Sequence, residues 1–301
     1  MASKTDPLAD SGLVIVDKPQ GMTSHDVVSH LRKALHTRKV GHAGTLDPMA
    51  TGVLVAGINR GTKFLTHLTG SDKTYDATMC LGAATTTDDA EGDVIFTADA
   101  SSLSDDDILA AIEPLRGDIM QRPASVSAIK INGQRAHQLV REGQAVDIPA
   151  RPVCIMRIDV HQVHRAATTV SLDVTVECSS GTYIRSLARD LGEALGVGGH
   201  LTALRRTRVG AFTLDDAVAL ADLEKSPRLP LTLDEALPRY YPTLPVTDAE
   251  ALDLAQGKWL GPRGLKGIHA AVAPDGRAIA LVQEKGKRLS TVFVARPSTL
   301  S

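Results

Sequence analysis

Aromatic residues are scarce: they make up 3% of 301 positions, with one tryptophan, four tyrosines and four phenylalanines. Cysteine is sparser still. Cys80, Cys154 and Cys178 are odd in number and form no Cys-x-x-Cys pair, which argues against a zinc site and a disulfide framework. Each lies in a strand-like stretch and is expected to act as a small buried hydrophobe. No run approaches the ~18 to 20 apolar residues that span a bilayer. The polar opening Met1-Ala2-Ser3-Lys4-Thr5-Asp6-Pro7 lacks the apolar core of a signal peptide. Residues 1–10 therefore read as a disordered arm on a cytoplasmic protein with no membrane association. Walker loops, dinucleotide fingerprints and metal-ligand spacings are absent too, so no cofactor and no metal are expected. His25, His30, His36 and His42 fall close together, but they alternate with basic residues that disfavour a cation.

What is present is segregated charge on an otherwise ordinary composition, 43% hydrophobic and 23% charged. The net charge of −2 rules out an indiscriminate polycation. Yet Arg32, Lys33, Arg38 and Lys39 stand without an acid between His30 and His42, and Arg205, Arg206 and Arg208 form a second run. From Lys258 to Arg288 there are seven Lys or Arg against Asp275 and Glu284. Acids gather elsewhere, at Asp105-Asp106-Asp107 and from Asp215 to Glu235. Such a chain can offer one basic face to phosphates. Solvated surface charge is the plainer reading of the same runs.

The length suits about two domains. Leu13-Val14-Ile15-Val16 reads as a buried strand stopped before Pro19, and Ser24 as the N-cap of a helix with Val27, Val28, Leu31 and Leu35 on one face. From His36 to Gly52 no apolar period exists, so a long loop is expected, and loops of that length in compact domains are usually functional. Val53 to Ile58 is a further buried strand, and Tyr75, Ala77, Met79 and Leu81 alternate as in a half-buried one. A helix is expected from Asp105 to Ile112 after a Ser104 cap. Residues 121–152 read as an inserted arm with a short helix near His137 to Arg141. Val153 to Val163 and Val170 to Cys178 form a hairpin-like pair, followed by a helix through Ile184, Leu187, Leu191 and Leu195 that ends at Gly196. Arg185 and Arg189 share a polar stripe of that helix. Pro227 to Pro245, with five prolines, reads as a linker, and Val246 to Pro297 as a small β-rich domain.

Asp47, in Gly44-Thr45-Leu46-Asp47-Pro48, invites two readings. Asp-Pro pairs initiate turns, and an Asp side chain can cap the next amide. Against that, the loop exceeds what a connection needs and opens with His36, Arg38, Lys39 and His42. Nearby positive charge keeps a carboxylate ionised, and a desolvated ionised carboxylate is a competent nucleophile. Two tyrosines lie outside the linker, in Lys73-Thr74-Tyr75 and Gly181-Thr182-Tyr183-Ile184-Arg185. Each is either a core residue or a platform for an unstacked base, an interaction worth roughly 1 to 3 kcal/mol.

Asp17-Lys18-Pro19-Gln20-Gly21-Met22-Thr23-Ser24, His42-Ala43-Gly44-Thr45-Leu46-Asp47-Pro48-Met49-Ala50-Thr51-Gly52, Lys73-Thr74-Tyr75 and Gly181-Thr182-Tyr183-Ile184-Arg185 together resemble the bacterial TruB family in order and spacing. Members of that family are tRNA pseudouridine synthases that modify the T-loop uridine at tRNA position 55. Ser127-Ala128-Ile129-Lys130 with Gly133 resembles the family's RNA-gripping arm, and Leu204-Arg205-Arg206-Thr207-Arg208-Val209-Gly210 its late active-site segment. The resemblance implies an α+β fold: a catalytic domain over 11–240 with a mixed, largely antiparallel sheet flanked by helices, the arm at 121–152, and a PUA-like domain over 244–301. It implies that Asp47 is the nucleophile, Arg185 its ion-pair partner and Tyr75 the residue stacked on a flipped uracil. His42 would fill the space that the base vacates, Lys18 would contact backbone, and Tyr183 and Leu204 would line the pocket. The implied partner is the tRNA T-arm, met by a monomer without an obligate protein partner. In the arm this chain departs from the pattern at Ala124-Ser125-Val126 and at His137. A non-catalytic RNA-binding module is the rival reading, and a carboxylate pairing aimed at RNA argues against it. A glycosidic hydrolase would need two carboxylates, and this loop offers one.

Overall fold

The computed structural model describes residues 6–124, 130–131, 134–135 and 148–300. The expected short helix near His137 and the arm motif around Ser127 and Gly133 lie outside the described residues. The chain divides into two compact units: Met1–Pro48 with Gly52–Thr69 and Gly210–Ser301, and Met49–Thr51 with Gly70–Val209. Both combine helices with sheet, and the sheet pairings are mostly antiparallel, as expected for an α+β chain. Among the described residues no helix is long and apolar enough to cross a membrane.

In the first unit the strand Gly12–Lys18 runs antiparallel to Thr51–Ile58, with Leu13 opposite Gly57 and Lys18 opposite Gly52. Leu13, Val14, Ile15 and Val16 are all buried, which is why this strand reads as an unbroken apolar run rather than an alternation. The expected loop from His36 to Gly52 is interrupted by a strand, Val40–Ala43, paired with Val55–Ile58. Four residues, two of them glycine and histidine, are too short to show a period; their pairing to a buried neighbour makes them a strand. The loop proper shrinks to Gly44–Ala50. The helix Ser24–Ala34 is capped by Thr23, not by Ser24: Thr23 Oγ1 accepts from the Asp26 amide and the Asp26 carboxylate accepts from the Thr23 amide. Residues 6–10, expected in a disordered arm, form a turn that buries Leu8.

The stretch expected to be a linker is built into this unit. A helix, Leu233–Tyr240, starts from a Thr232 capping box and holds Pro238 within it. Tyr240 and Tyr241 pack edge-on against Phe64, and Phe64 stacks on Phe293 at 6.1 Å between centroids. The five prolines of the segment hid this helix from a propensity reading, whereas tertiary packing of its aromatic end keeps it. The C-terminal segment folds as a helix, Asp248–Ala255, and a four-stranded sheet of Thr243–Pro245, Ile268–Val272, Ala278–Lys285 and Arg288–Val294 in that order. Leu254, Leu260, Ala280, Val282 and Leu289 lie in its own apolar core.

In the main sheet of the second unit the strands Gly199–Val209, Lys73–Leu81, Val170–Cys178, Arg151–Arg165 and Gly117–Gln121 follow one another in space, each antiparallel to the next. Along Lys73–Leu81, residues 73, 75, 77, 79 and 81 are buried, and the intervening ones are more exposed. The helix Ile184–Ala194 lies over this sheet, with Gly192 so close to Gly199 that a Cβ there would sit 2.1 Å from the Gly199 nitrogen. Cys178 is buried as expected, but Cys80 and Cys154 are only half-buried, because they occupy alternate positions facing away from the core.

Candidate active site

Asp47 sits in a loop whose backbone is tied on both sides. Lys18 is fully buried at the end of its strand. Its ammonium donates to the carbonyls of Pro19 at 2.9 Å, Met22 at 2.6 Å and Pro48 at 3.3 Å. The Gly21 amide adds a second bond to the Pro48 carbonyl, 2.8 Å. On the other side Ser24 Oγ donates to the Leu46 carbonyl and accepts from the Leu46 amide, 3.1 and 2.9 Å. The residue expected to cap a helix therefore locks the Asp47 loop. Leu46 and Met49 point into the core, leaving Asp47 partly open to solvent. Lys18 thus spends its ammonium on three carbonyls of its own chain beside the Asp47 loop. His42 is in the Val40–Ala43 strand opposite Ala56, half-buried.

In the second unit, Tyr75 is buried at the centre of its sheet, with Val176 and Arg206 as its neighbours in register on either side. Leu204 is opposite Ala77, so it shares that face two positions along. Lys73, two residues before Tyr75, is buried too, its ammonium donating to the Ser71 carbonyl at 2.8 Å. Burial, with the Arg206 charge added, pulls its pKa down to about 8. Cys178 lies directly opposite Lys73, and burial pushes its thiol up to about 11.

Tyr183 precedes the helix Ile184–Ala194, where a clamp fixes its backbone: its amide donates to Gln121 Oε1 at 2.8 Å and its carbonyl accepts from Gln121 Nε2 at 3.1 Å. Arg185 follows in the first turn, its side chain 5% exposed. It donates to the Thr87 carbonyl at 2.8 Å and to Asp89 Oδ2 at 3.1 Å, and Asp89 is 3% exposed. One helical turn on, Arg189 donates to Asp88 at 3.0 Å, to Asp190 and to the Arg122 carbonyl at 2.8 Å. Asp88 adopts φ 59°, a strained value for a residue with a Cβ. Burial pushes its carboxyl pKa up against the opposing pull of Arg189 and Arg185.

Tyr75, Leu204, Tyr183 and Arg185 thus belong to one compact unit, and Asp47, Lys18 and His42 to the other. Sequence reasoning missed Asp89 and Gln121. A signal existed for Asp89: two acids in succession, Asp88-Asp89, match two arginines spaced by four on one helix face. Gln121 left none, because an amide that binds backbone can do so from any sequence context.

Three family profiles cover most of the chain. TruB family pseudouridylate synthase (N terminal domain) matches residues 32–184. The tRNA pseudouridylate synthase B C-terminal domain matches residues 185–237, and tRNA Pseudouridine synthase II, C terminal, residues 241–296. The chain belongs to the TruB family. It is therefore a pseudouridine synthase, an isomerase. Curated relatives named tRNA pseudouridine synthase B include one from Corynebacterium efficiens, 70% identical over 98% of this chain and 99% of its own length. Another, from Corynebacterium diphtheriae, is 68% identical over 98% and 99%. A solved structure described as an H/ACA RNP bound to a substrate RNA containing 2'-deoxyuridine is similar in fold. It has a TM-score of 0.72 at 25% identity, over 98% of this chain and 87% of that one.

Proposed function

We propose that this enzyme converts the uridine at position 55, in the T-loop of tRNA, to pseudouridine, with Asp47 as nucleophile and the target base flipped out of the loop. The carrying observation is the fixation of the Asp47 loop: Leu46 and Pro48 are both held by buried groups while the carboxylate between them stays partly open. A preorganised carboxylate needs no reorganisation as the reaction begins. The names of the relatives support tRNA as substrate.

The reaction breaks the bond between uracil N1 and ribose C1′, turns the base and forms a bond from C5 to C1′. C5 gives up a proton and N1 gains one, so atoms and electrons balance without oxidant, water or metal. Extruding the base costs a few kcal/mol, which phosphate contacts by the basic runs can offset. Tyr75 stacks on the extruded uracil, Tyr183 and Leu204 line its pocket, and His42 fills the space left in the RNA. Arg185 supplies the counter-charge for the nucleophile. The enzyme acts as a cytoplasmic monomer on the T-arm without an obligate protein partner, and its residues 121–152 and 244–301 serve as RNA-gripping arm and PUA-like domain.

The test incubates purified protein with an unmodified tRNA transcript and maps pseudouridine by chemical labelling. Product at the T-loop uridine is expected; product only elsewhere, or none, overturns the reading.

A further inference from the structure

Tyr183 opens the helix that carries Arg185, and its own side chain does not cap that helix. The first amides of a helix have no partner within it, and a Ser, Thr, Asp or Asn usually serves them. In this chain the turn before the helix is instead held from neighbouring strands at both ends. At the first end the Ser179 amide donates to the Cys154 carbonyl at 2.8 Å, and Ser179 Oγ accepts from the Cys154 amide at 2.9 Å. At the other end Gln121, 1% exposed, grips the backbone of Tyr183. Gly181, at φ 87°, turns the chain between the two anchors. The start of the helix is therefore set by strands on either side of the turn rather than by the turn itself.

The grip on Tyr183 requires a primary amide. Tyr183 is extended, at φ −108° and ψ 108°, so its N–H and C=O open to the same side. An amide side chain sets an acceptor and a donor next to each other. The two close a ring of bonds like that exchanged by opposed residues in an antiparallel sheet. Gln121 ends the strand Gly117–Gln121 opposite Arg151, so its side chain carries the sheet pairing one step further, onto the helix. The same Tyr183 carbonyl accepts from the Leu187 amide at 3.3 Å, which joins the grip to the first turn. The next residue, Arg122, offers its carbonyl to Arg189 at 2.8 Å, a second tie further along the helix. We propose that Gln121 is a positioning residue for the uridine pocket. It fixes the backbone of Tyr183 and, through the first helical turn, the direction of Arg185, without touching RNA. The inference rests on the roles proposed above for Tyr183 and Arg185.

Two substitutions in the full chain test this. Gln121→Met keeps the volume and removes both bonding groups. Gln121→Glu keeps an acceptor for the amide but turns its second oxygen against the Tyr183 carbonyl. A shift of about 1 Å near reacting groups lowers a rate by up to about a hundredfold. Each variant should therefore lose about ten- to a hundredfold in kcat for pseudouridine formation on a tRNA transcript. KM and tRNA affinity should stay within about twofold, the pattern of an interaction that counts only in the transition state. Hydrogen exchange at the Tyr183 amide should quicken in both, while the sheet amides around Tyr75 keep the parental rate. Leu172, buried opposite Met79 in the same sheet, supplies the control for plain destabilisation. Leu172→Val should lower the urea midpoint and retain kcat. Parental kcat in both glutamine variants, a rise in KM alone, or an equal fall in kcat for Leu172→Val overturns the proposal. Product from the parent enzyme with parental kcat in the variants removes this inference and leaves the proposed function standing. No product from the parent removes both.

Discussion

The most consequential single contact in the second unit is the ion pair between Arg185 and Asp89, two charges almost wholly removed from water. Such a pair gains little over an apolar replacement, but removing the acid withdraws much of the compensation for the remaining buried charge. Asp89→Ala is therefore expected to lower unfolding free energy by about 3 to 5 kcal/mol, read from urea midpoints at pH 7. A loss under about 1 kcal/mol would mean that another group neutralises Arg185. Lys73 carries the opposite lesson, a buried ammonium served by a carbonyl. Burial lowers its pKa to about 8 in the folded chain, against the ordinary lysine value of 10.5. Below pH 8 both states are protonated and the folded chain bears the full desolvation cost. Between about 8 and 10.5 the folded chain has released the proton while the unfolded one retains it, so stability rises with pH across that window. Lys73→Met should be more stable than the parent at pH 7 by about 3 kcal/mol, a gap that closes toward pH 10.5. If urea titrations show a gap that does not change with pH, the amine is not the cause. For the proposed chemistry, Asp47→Asn should abolish turnover and leave tRNA binding within a few-fold; more than trace activity would show the nucleophile is misassigned.

At the scale of elements, the loop Gly44–Ala50 owes its geometry to a strand end and a helix start rather than to its own residues. Lys18→Met would leave three carbonyls without their shared donor, at a cost of about 1 to 3 kcal/mol for each that stays buried and bare. We expect kcat to fall by at least tenfold with a smaller change in KM, since the loop loses position rather than a substrate contact. A rise in KM alone would place Lys18 on the substrate after all. The buried strands, the helices over 105–112 and 184–194, and the sheet residues around Tyr75 were legible because period and apolar content agree there. The strand Val40–Ala43 and the helix Leu233–Tyr240 were not, because the first is too short for a period and the second carries prolines in an aromatic-packed segment. Residues bearing a motif could be named as site candidates through resemblance. Asp89 and Gln121 could not, since their roles follow from which backbone and which arginine the fold brings to them. Arg189 belongs to the same class: by holding Asp88 in its strained conformation next to Asp89, it positions the acid that pairs with Arg185.

At the scale of the whole molecule, the sequence suggests a C-terminal β-rich domain beyond a linker, and contacts within the first unit tie that segment closely to the rest of the unit. Arg60 donates to the carbonyls of Val294 and Ala295, and Phe64 stacks on Phe293. Asp234 accepts from the Ala278 amide at 2.8 Å and shares Arg296 with Asp6. Tyr241 donates its hydroxyl proton to the His67 carbonyl at 2.9 Å. The C-terminal segment therefore adds to the core of the unit that carries Asp47, and without it Phe64 loses its contacts with Tyr241 and Phe293. A chain ending at Tyr240 is expected to retain its helical and sheet signal in the far ultraviolet while losing near-ultraviolet tyrosine ellipticity and binding a hydrophobic dye, the behaviour of a loosely packed state. Arg60→Leu in the full chain supplies a gentler version of the same lesion, because it strips the donors from two carbonyls without removing the sheet. It should lower the urea midpoint of the transition that reports this unit. A truncated chain that unfolds cooperatively at the parent midpoint would show that the C-terminal sheet is an independent module, and that the aromatic cluster is surface decoration rather than core.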